Sequence, residues 1–380
     1  PAPEPRRRAP RADRADRARP TTVSAVRVPT SPVRVPVREP GEVRVCAGGD
    51  VTLGTNLDTA WAAAASRRAG MTIPALPSPD SLLEPLRPLL ADADVVLLNV
   101  EAALGDGPAP SKCGPKSTGC FAMRSPASAA GALRRVAPHA TVVGNVANNH
   151  SGDAGLAGYR RTLELLDRAG VHTTGADTLP TLAVAGDDTV AVLGFSTSAR
   201  GPDARELAAV RRHVARAAER HDRVVVTVHM GAEGRGAQRT PARTERYYGE
   251  NRGNPRAFAR AAVEAGADLV VGHGPHVLRA AEWRDGALVA YSLGNLVTYG
   301  PFVNREPSNR GAVLCATLGP DGEVSDALVH STRQLRAGIV TFDESGRALF
   351  LVDSLSRLDF PRSGARVSGE GWLVEPADRR

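Results

Sequence analysis

Long apolar runs are missing from this 380-residue chain, and nothing in it approaches the roughly 20 residues that span a bilayer as a helix. Aromatic residues make up only 4% of the sequence, which argues against a base-stacking nucleic-acid binder. Lysine is nearly absent: Lys112 and Lys116 are the only two, so the basic character belongs to arginine. The first residue is Pro rather than Met and no signal-type hydrophobic region follows it. A targeting segment is therefore expected to have been removed, or never to have existed.

The net charge of +7 is unevenly placed. Residues 1–40 hold ten arginines against Glu4, Asp13, Asp16 and Glu39, so this arm carries +6 and the rest of the chain is nearly neutral. The arm is rich in Pro, Arg and Ala, with almost no bulky apolar residue before Val23, and is expected to be disordered. It reads either as an electrostatic tether to a polyanion, whether a cell surface, a wall polymer or nucleic acid, or as a solvated linker.

Four cysteines remain. Cys46 and Cys315 lie in apolar, strand-like runs and are expected to be buried thiols. Cys113 and Cys120 bracket a short turn-forming loop that a disulfide closes easily, which implies an oxidising, extracytoplasmic compartment. A zinc clip would need two more ligands nearby, and the local sequence supplies none.

What the chain does have is polar residues at the ends of apolar runs. The run 267–271 stops at Gly272, and His273 and His276 follow on a turn containing Gly274 and Pro275. Neither Gly274 nor Pro275 continues a strand, so the bend can aim both imidazoles at one point. Similar placements follow the other apolar runs: Asp50 after 43–47, Glu101 after 94–98, Asn149 and His150 after 140–144, His229 and Glu233 after 223–228. Helices are expected within 55–68 and near 81–90, 126–136, 156–169 (with Asp153 as its N-cap), 203–220 and 255–265. Strands alternating with helices indicate an α/β domain. In open α/β sheets, ligands bind outside the carboxyl ends of the strands. Nitrogen and oxygen ligands at such ends suit a divalent transition metal such as Mn, Zn or Fe.

Six ordered motifs carry a family resemblance: Gly49-Asp50, Asn99-Val100-Glu101, Ala147-Asn148-Asn149-His150, His229-Met230-Gly231-Ala232-Glu233, Gly272-His273-Gly274-Pro275-His276 and Tyr291-Ser292-Leu293-Gly294-Asn295. Together, over roughly residues 42–335, they resemble CapA-like proteins of poly-γ-glutamate capsule synthesis, within the calcineurin-like metallophosphoesterase superfamily. The resemblance implies a four-layer α/β/β/α metallophosphoesterase-like sandwich. By position it implies Asp50, Glu101, Asn149, His229, His273 and His276 as metal ligands. It departs from the superfamily at position 52, where Thr replaces a His, and in one extra residue within the closing His pair. Both one and two ions thus stay open.

From the residue types, His150 is assigned as general acid, and Glu233 as the group that orients water, takes a ligand position or pairs with an arginine. Lys112, Lys116, Arg235, Arg252 and Asn295 are the expected substrate contacts, since the segment 233–260 holds seven arginines against Glu233, Glu245 and Glu250. An arginine-lined rim attracts anions. The expected organisation is an arm over 1–40, one domain over 41–360 and a polar C-terminal tail over 361–380. The expected function is an exported, metal-dependent hydrolase acting on an anionic polymer or phosphoester. The alternative is a non-catalytic capsule-assembly protein that holds poly-γ-glutamate.

Overall fold

The computed structural model describes residues 38–54, 77–113, 120–300, 302 and 305–376. The arm before Arg38, the expected helix within 55–68 and Lys116 lie outside these residues. The chain lays down four strands of one sheet, β1 Val43–Leu53, β2 Val95–Val100, β3 Thr141–Asn145 and β4 His172–Thr174. It then builds all six strands of a second sheet: β5 Thr181–Ala185, β6 Asp188–Ser196, β7 Val224–His229, β8 Leu269–His273, β9 Ala281–Arg284 and β10 Ala287–Ala290. Finally it returns to complete the first with β11 Asn295–Tyr299, β12 Arg310–Leu318, β13 Val324–Gln334 and β14 Val340–Phe342. The first sheet runs β14-β13-β12-β1-β2-β3-β4, with β11 also paired to β1; the second runs β9-β10-β8-β7-β6-β5.

Side-chain alternation on the strands defines the layers. Val43, Val45 and Ala47 of β1 pack against Val190, Val192 and Val225 of the second sheet, forming the core between the sheets. Cys46, Val96, Leu98 and Val142 point the other way, beneath helices α1 Pro79–Leu83, α2 Ser128–Arg135 and α3 Gly155–Ala169. On the far side, Val224, Val226 and Phe195 pack under α4 Leu207–Ala218 and α5 Pro255–Val263. The result is the helix, sheet, sheet, helix sandwich expected. The central strands carry near-continuous Val and Leu runs because both of their faces are covered.

Two expectations are corrected by the structure, and one element is new. Cys46 and Cys315 are not thiols. They are direct partners in the antiparallel β1–β12 register, with Cα atoms 4.0 Å apart, and form a disulfide. The Cys113–Cys120 disulfide is present as expected. The C-terminal region is no polar tail through residue 376: Arg366–Val367 pairs with Leu373–Val374, and Leu373 is buried in the inter-sheet core. Just before it, helix α6 Arg347–Asp359 was not foreseen; Ala348, Leu349 and Val352 bury one side of it against the end of that core. Among the described residues, no helix is long and apolar enough to cross a membrane.

Candidate metal centre

Strand register lines up the site before any side chain is considered. Across the first sheet, Asn295, Asp50, Asn99 and Asn145 are consecutive Cα partners on β11, β1, β2 and β3. Across the second, His229 of β7 and His273 of β8 are partners. Asp50 sits at an irregularity within β1 rather than at its end, where the register against both neighbours shifts. Gly49 makes this possible, because a Cβ there would come 2.1 Å from the Gly294 carbonyl oxygen.

Between the two rows the side chains converge. Asn99 Nδ2 donates to Asp50 Oδ1 at 2.7 Å and lies 3.1 Å from His229 Nδ1, joining the sheets. His273 Nδ1 is 3.7 Å from Asp50 Oδ1. His276 reaches in from the turn after β8, with Nδ1 2.9 Å from Asp50 Oδ2 and Nε2 3.6 Å from Glu101 Oε1. That turn holds His276 at φ 54°, in the left-handed region, a conformation that costs a non-glycine residue energy and persists where its surroundings fix it. Gly274, at φ 107°, leaves no room for a Cβ beside the Met230 backbone.

Glu101 is the focus. Its Oε1 lies 3.7 Å from His229 Nε2 and 4.0 Å from His150 Nε2. These separations are too long for hydrogen bonds. Among the described residues, Glu101 Oε1, Asn149 Oδ1, His229 Nε2 and both ring nitrogens of His273 are buried without a hydrogen-bond partner. A buried polar atom left unpaired costs about 1–3 kcal/mol, and those of Glu101, His229 and His273, each 3.7 Å from a facing ligand atom, fit an ion held between them. Ligand atoms of Asp50, Glu101 and His276 lie within 4.8 Å of one another.

The electrostatics point the same way. Burial, with Asp50 and Glu233 nearby, pushes the Glu101 carboxyl well above its ordinary range against the opposing pull of His276. Burial acts downward on His276, yet Glu101, Asp50 and Glu233 hold its imidazole well above the usual value. Burial, joined by the Arg252, His276 and His273 charges, lowers His229 well below its usual value against the pull of Asp50, and burial lowers His273 to about 4 against the same pull. Burial acts upward on Asp50, but the His276 hydrogen bond and charge keep its carboxyl well below the ordinary range. The His276 ring thus faces three carboxylates, those of Asp50, Glu101 and Glu233.

His150 is held differently. Its Nδ1 is 2.7 Å from Asp153 Oδ2, and Lys112 Nζ lies 2.6 Å from Asp153 Oδ1. Burial lowers the His150 pKa, opposed by Asp153. Asp153 therefore does not cap α3, whose preceding residue is Ala154. It orients His150 and accepts the Met123 amide at 2.7 Å. Asn148 supports the same turn, accepting the His150 and Ser151 amides on Oδ1 and donating to Asn99 Oδ1. Sequence reading missed the roles of Asn99, Asn145, Asn148 and Asp153. Their signal was present as polar residues in or beside strand-end runs, but a ligand search favours charged and imidazole groups.

The expected substrate contacts divide. Glu233 Oε1 pairs with Arg252 Nη2 at 2.7 Å, and its Oε2 lies 3.7 Å from His276 Nε2. Arg252 is buried, and Lys112 also donates to the Asn149 carbonyl. Asn295 lines the cleft, with Oδ1 3.1 Å from His276 Nδ1 and Nδ2 donating to the Ser308 carbonyl. Arg235 is exposed and donates to the Glu306 carbonyl instead. Arg239 is likewise spent on Asp359 and Arg256 on the Phe360 ring, so the arginine-rich segment sends chiefly Arg252 to the site. Thr52, which stands where the superfamily has a His, donates its hydroxyl to the Glu101 carbonyl at 2.9 Å.

Fold and site together define an α/β/β/α sandwich with a buried carboxylate–histidine centre where its two sheets meet. The family model described as "Bacterial capsule synthesis protein PGA_cap" matches residues 44–299, and the chain belongs to that family. It is 33% identical over 170 residues to the PGA biosynthesis protein CapA of Bacillus subtilis (strain 168), covering 40% of this chain and 41% of that one. It is 30% identical over 181 residues to the capsule biosynthesis protein CapA of Bacillus anthracis, covering 40% and 39%. The chain thus spans about two-fifths of the length of these relatives. A solved structure similar to it at 13% identity is a putative 5'-nucleotidase from Staphylococcus aureus, with a TM-score of 0.43, covering 79% of this chain and 54% of that one.

Proposed function

We propose that the protein is an extracytoplasmic, metal-dependent hydrolase of capsule metabolism, acting on an anionic polymer or phosphoester. The observation that carries this reading is the set of buried, unpartnered ligand atoms around Glu101. In it, Asp50, Glu101, Asn149, His229, His273 and His276 hold one or two divalent ions. Such an ion, once bound, supplies Lewis acidity and activates water as a nucleophile at neutral pH.

The chain's own residues do the rest. Burial favours neutral His150, and Asp153, 2.7 Å from Nδ1, fixes the ring so that Nε2 faces the cleft. From there Nε2 first takes the proton of the attacking water and then passes it to the departing oxygen or nitrogen, which leaves the ring neutral again. Glu233, fixed by Arg252, holds one carboxylate oxygen toward His276 and positions the reacting group. Two disulfides support an oxidising compartment, and an Arg-rich arm suits attachment to a surface polyanion.

The test is turnover of a phosphodiester, a phosphomonoester and poly-γ-glutamate, with Mn or Zn and with a chelator. Activity is expected to require metal and to fall by roughly 10²-fold or more in His150→Ala. Metal-dependent binding of poly-γ-glutamate with no turnover of any substrate would replace this reading with that of a non-catalytic assembly protein.

A further inference from the structure

The centre opens into two chambers of opposite chemistry. One, of about 210 Å³, reaches Glu101, His150, Glu233 and His276, and its walls include Phe121, Tyr247 and Phe302. The rings of Phe121 and Phe302 lie 6.1 Å apart across it. The other, of about 500 Å³, reaches Asn149 and His229 and is lined by Lys112, Arg205 and Arg252 together with Thr197 and Ser198. The one carboxylate among its lining residues is Glu250, whose side chain is 73% exposed. The Glu233–Arg252 pair stands between the chambers, Glu233 lining the first and Arg252 the second.

Arg252 is built into this position. Its amide donates to the Glu245 carbonyl and its carbonyl accepts the Gly231 amide, so the backbone is fixed on both sides. The guanidinium is almost fully buried, and among the described residues its Nε has no hydrogen-bond partner. Arg205 is braced by Asp203 through two hydrogen bonds of 2.8 Å, and Asp203 does not line the chamber. Lys112 is paired with Asp153, which likewise does not line the chamber. A desolvated guanidinium with an unspent N–H, flanked by two further cations and by Thr197, matches an oxyanion in both charge and hydrogen bonding; the Ser198 hydroxyl is already donated to backbone carbonyls.

We propose that this second chamber is an oxyanion subsite. It holds a carboxylate or phosphate group of the substrate beside the bond presented at the centre, with Arg252 as anchor and Arg205 and Lys112 flanking it. The aromatic chamber takes the uncharged part on the other side of that bond. This rests on the reading that the centre binds substrate, and it narrows the substrate class: one side of the reacting bond carries an anionic group within reach of Arg252.

Calorimetric titration of the full chain, with and without bound Mn, using glutarate and inorganic phosphate as separate probes, tests the proposal. At least one probe is expected to bind wild type and to bind at least tenfold more weakly to Arg205→Gln and Arg252→Gln. Arg252→Lys, which keeps the charge and loses the fork, should fall between. The probe with the larger loss identifies carboxylate or phosphate as the group held. Arg205 is bonded to Asp203 and the Asn251 carbonyl and to no proposed metal ligand, so Arg205→Gln should take up Mn like wild type. If no chain takes up Mn and the arginine variants still lose the anion, the subsite stands and the metal-dependent reading falls. If neither probe binds, or both variants bind as wild type does, the subsite is wrong.

Discussion

Asn99 and Asp50 are Cα partners on adjacent parallel strands, and the Asn99 amide donates to Asp50 Oδ1 at 2.7 Å while lying 3.1 Å from His229 Nδ1 on the other sheet. The same side chain accepts from Asn145 and Asn148 on its oxygen. One neutral amide thus fixes two expected ligands and two supporting residues.

Replacing it should therefore damage fold and centre together. Asn99→Ala leaves buried partners unpaired and is expected to cost about 1–3 kcal/mol of stability. Metal affinity should fall roughly 10–100-fold, as for loss of a group that orients ligands. Denaturant unfolding and metal titration check both, and unchanged values in either would remove Asn99 from the support of the centre.

Metal uptake should be proton-linked. His276 is held well above its ordinary pKa by Glu101, Asp50 and Glu233, and a cation entering the centre displaces that proton. Affinity is therefore expected to keep rising with pH above 6.5, where an ordinary histidine would already be neutral. Calorimetry in buffers of different ionisation enthalpy reads the protons released; none released near pH 7 would contradict the linkage.

The two disulfides should differ in weight. Cys46–Cys315 closes a loop of 269 residues and Cys113–Cys120 one of only 7. Loop-closure entropy gives about 5.6 kcal/mol for the first and about 2.4 kcal/mol for the second. Cys46→Ala with Cys315→Ala should lower the melting temperature much more than Cys113→Ser with Cys120→Ser. Thiol titration of the unfolded, unreduced chain should find no free thiol.

His330 supplies a pH dependence remote from the centre. Burial and the nearby Arg44 charge lower its pKa to about 4, against Asp92. A histidine depressed in the folded state contributes stability that is full above the unfolded value near 6.5 and is lost as pH falls toward 4. Its share is roughly 3 kcal/mol. His330→Gln should flatten that part of the stability profile between pH 6.5 and 4, and an equal slope in both proteins would remove His330 as its source.

The alternation of Val-rich runs with helical stretches carried the α/β class, the six family motifs carried the sandwich, and the polar residues of the candidate site were legible because Asp, Glu and His stand out after such runs. The sequence hid what register creates. Cys46 and Cys315 look like two buried thiols until β1 and β12 are aligned, and Asn99 looks like a motif spacer until its partners Asp50 and Asn145 are known. Asp153 had the spacing of a helix cap, but its carboxylate was claimed by His150, three residues back and within reach on the same turn. Helix α6 went unread because its Leu and Val residues follow a series of strands and carry no side-chain N-cap. The arginines of 233–260 showed as a charged rim, whereas burial and pairing direct Arg252 inward and Arg235, Arg239 and Arg256 elsewhere.

The most direct measurement is the metal content of the purified chain after exposure to Mn or Zn, taken alongside Asp50→Ala and the double variant His273→Ala, His276→Ala. Wild type should retain one to two ions per chain, and both variants should lose most of them while remaining folded by circular dichroism. A wild-type chain as free of metal as its folded variants would contradict the metal centre and the hydrolase built on it.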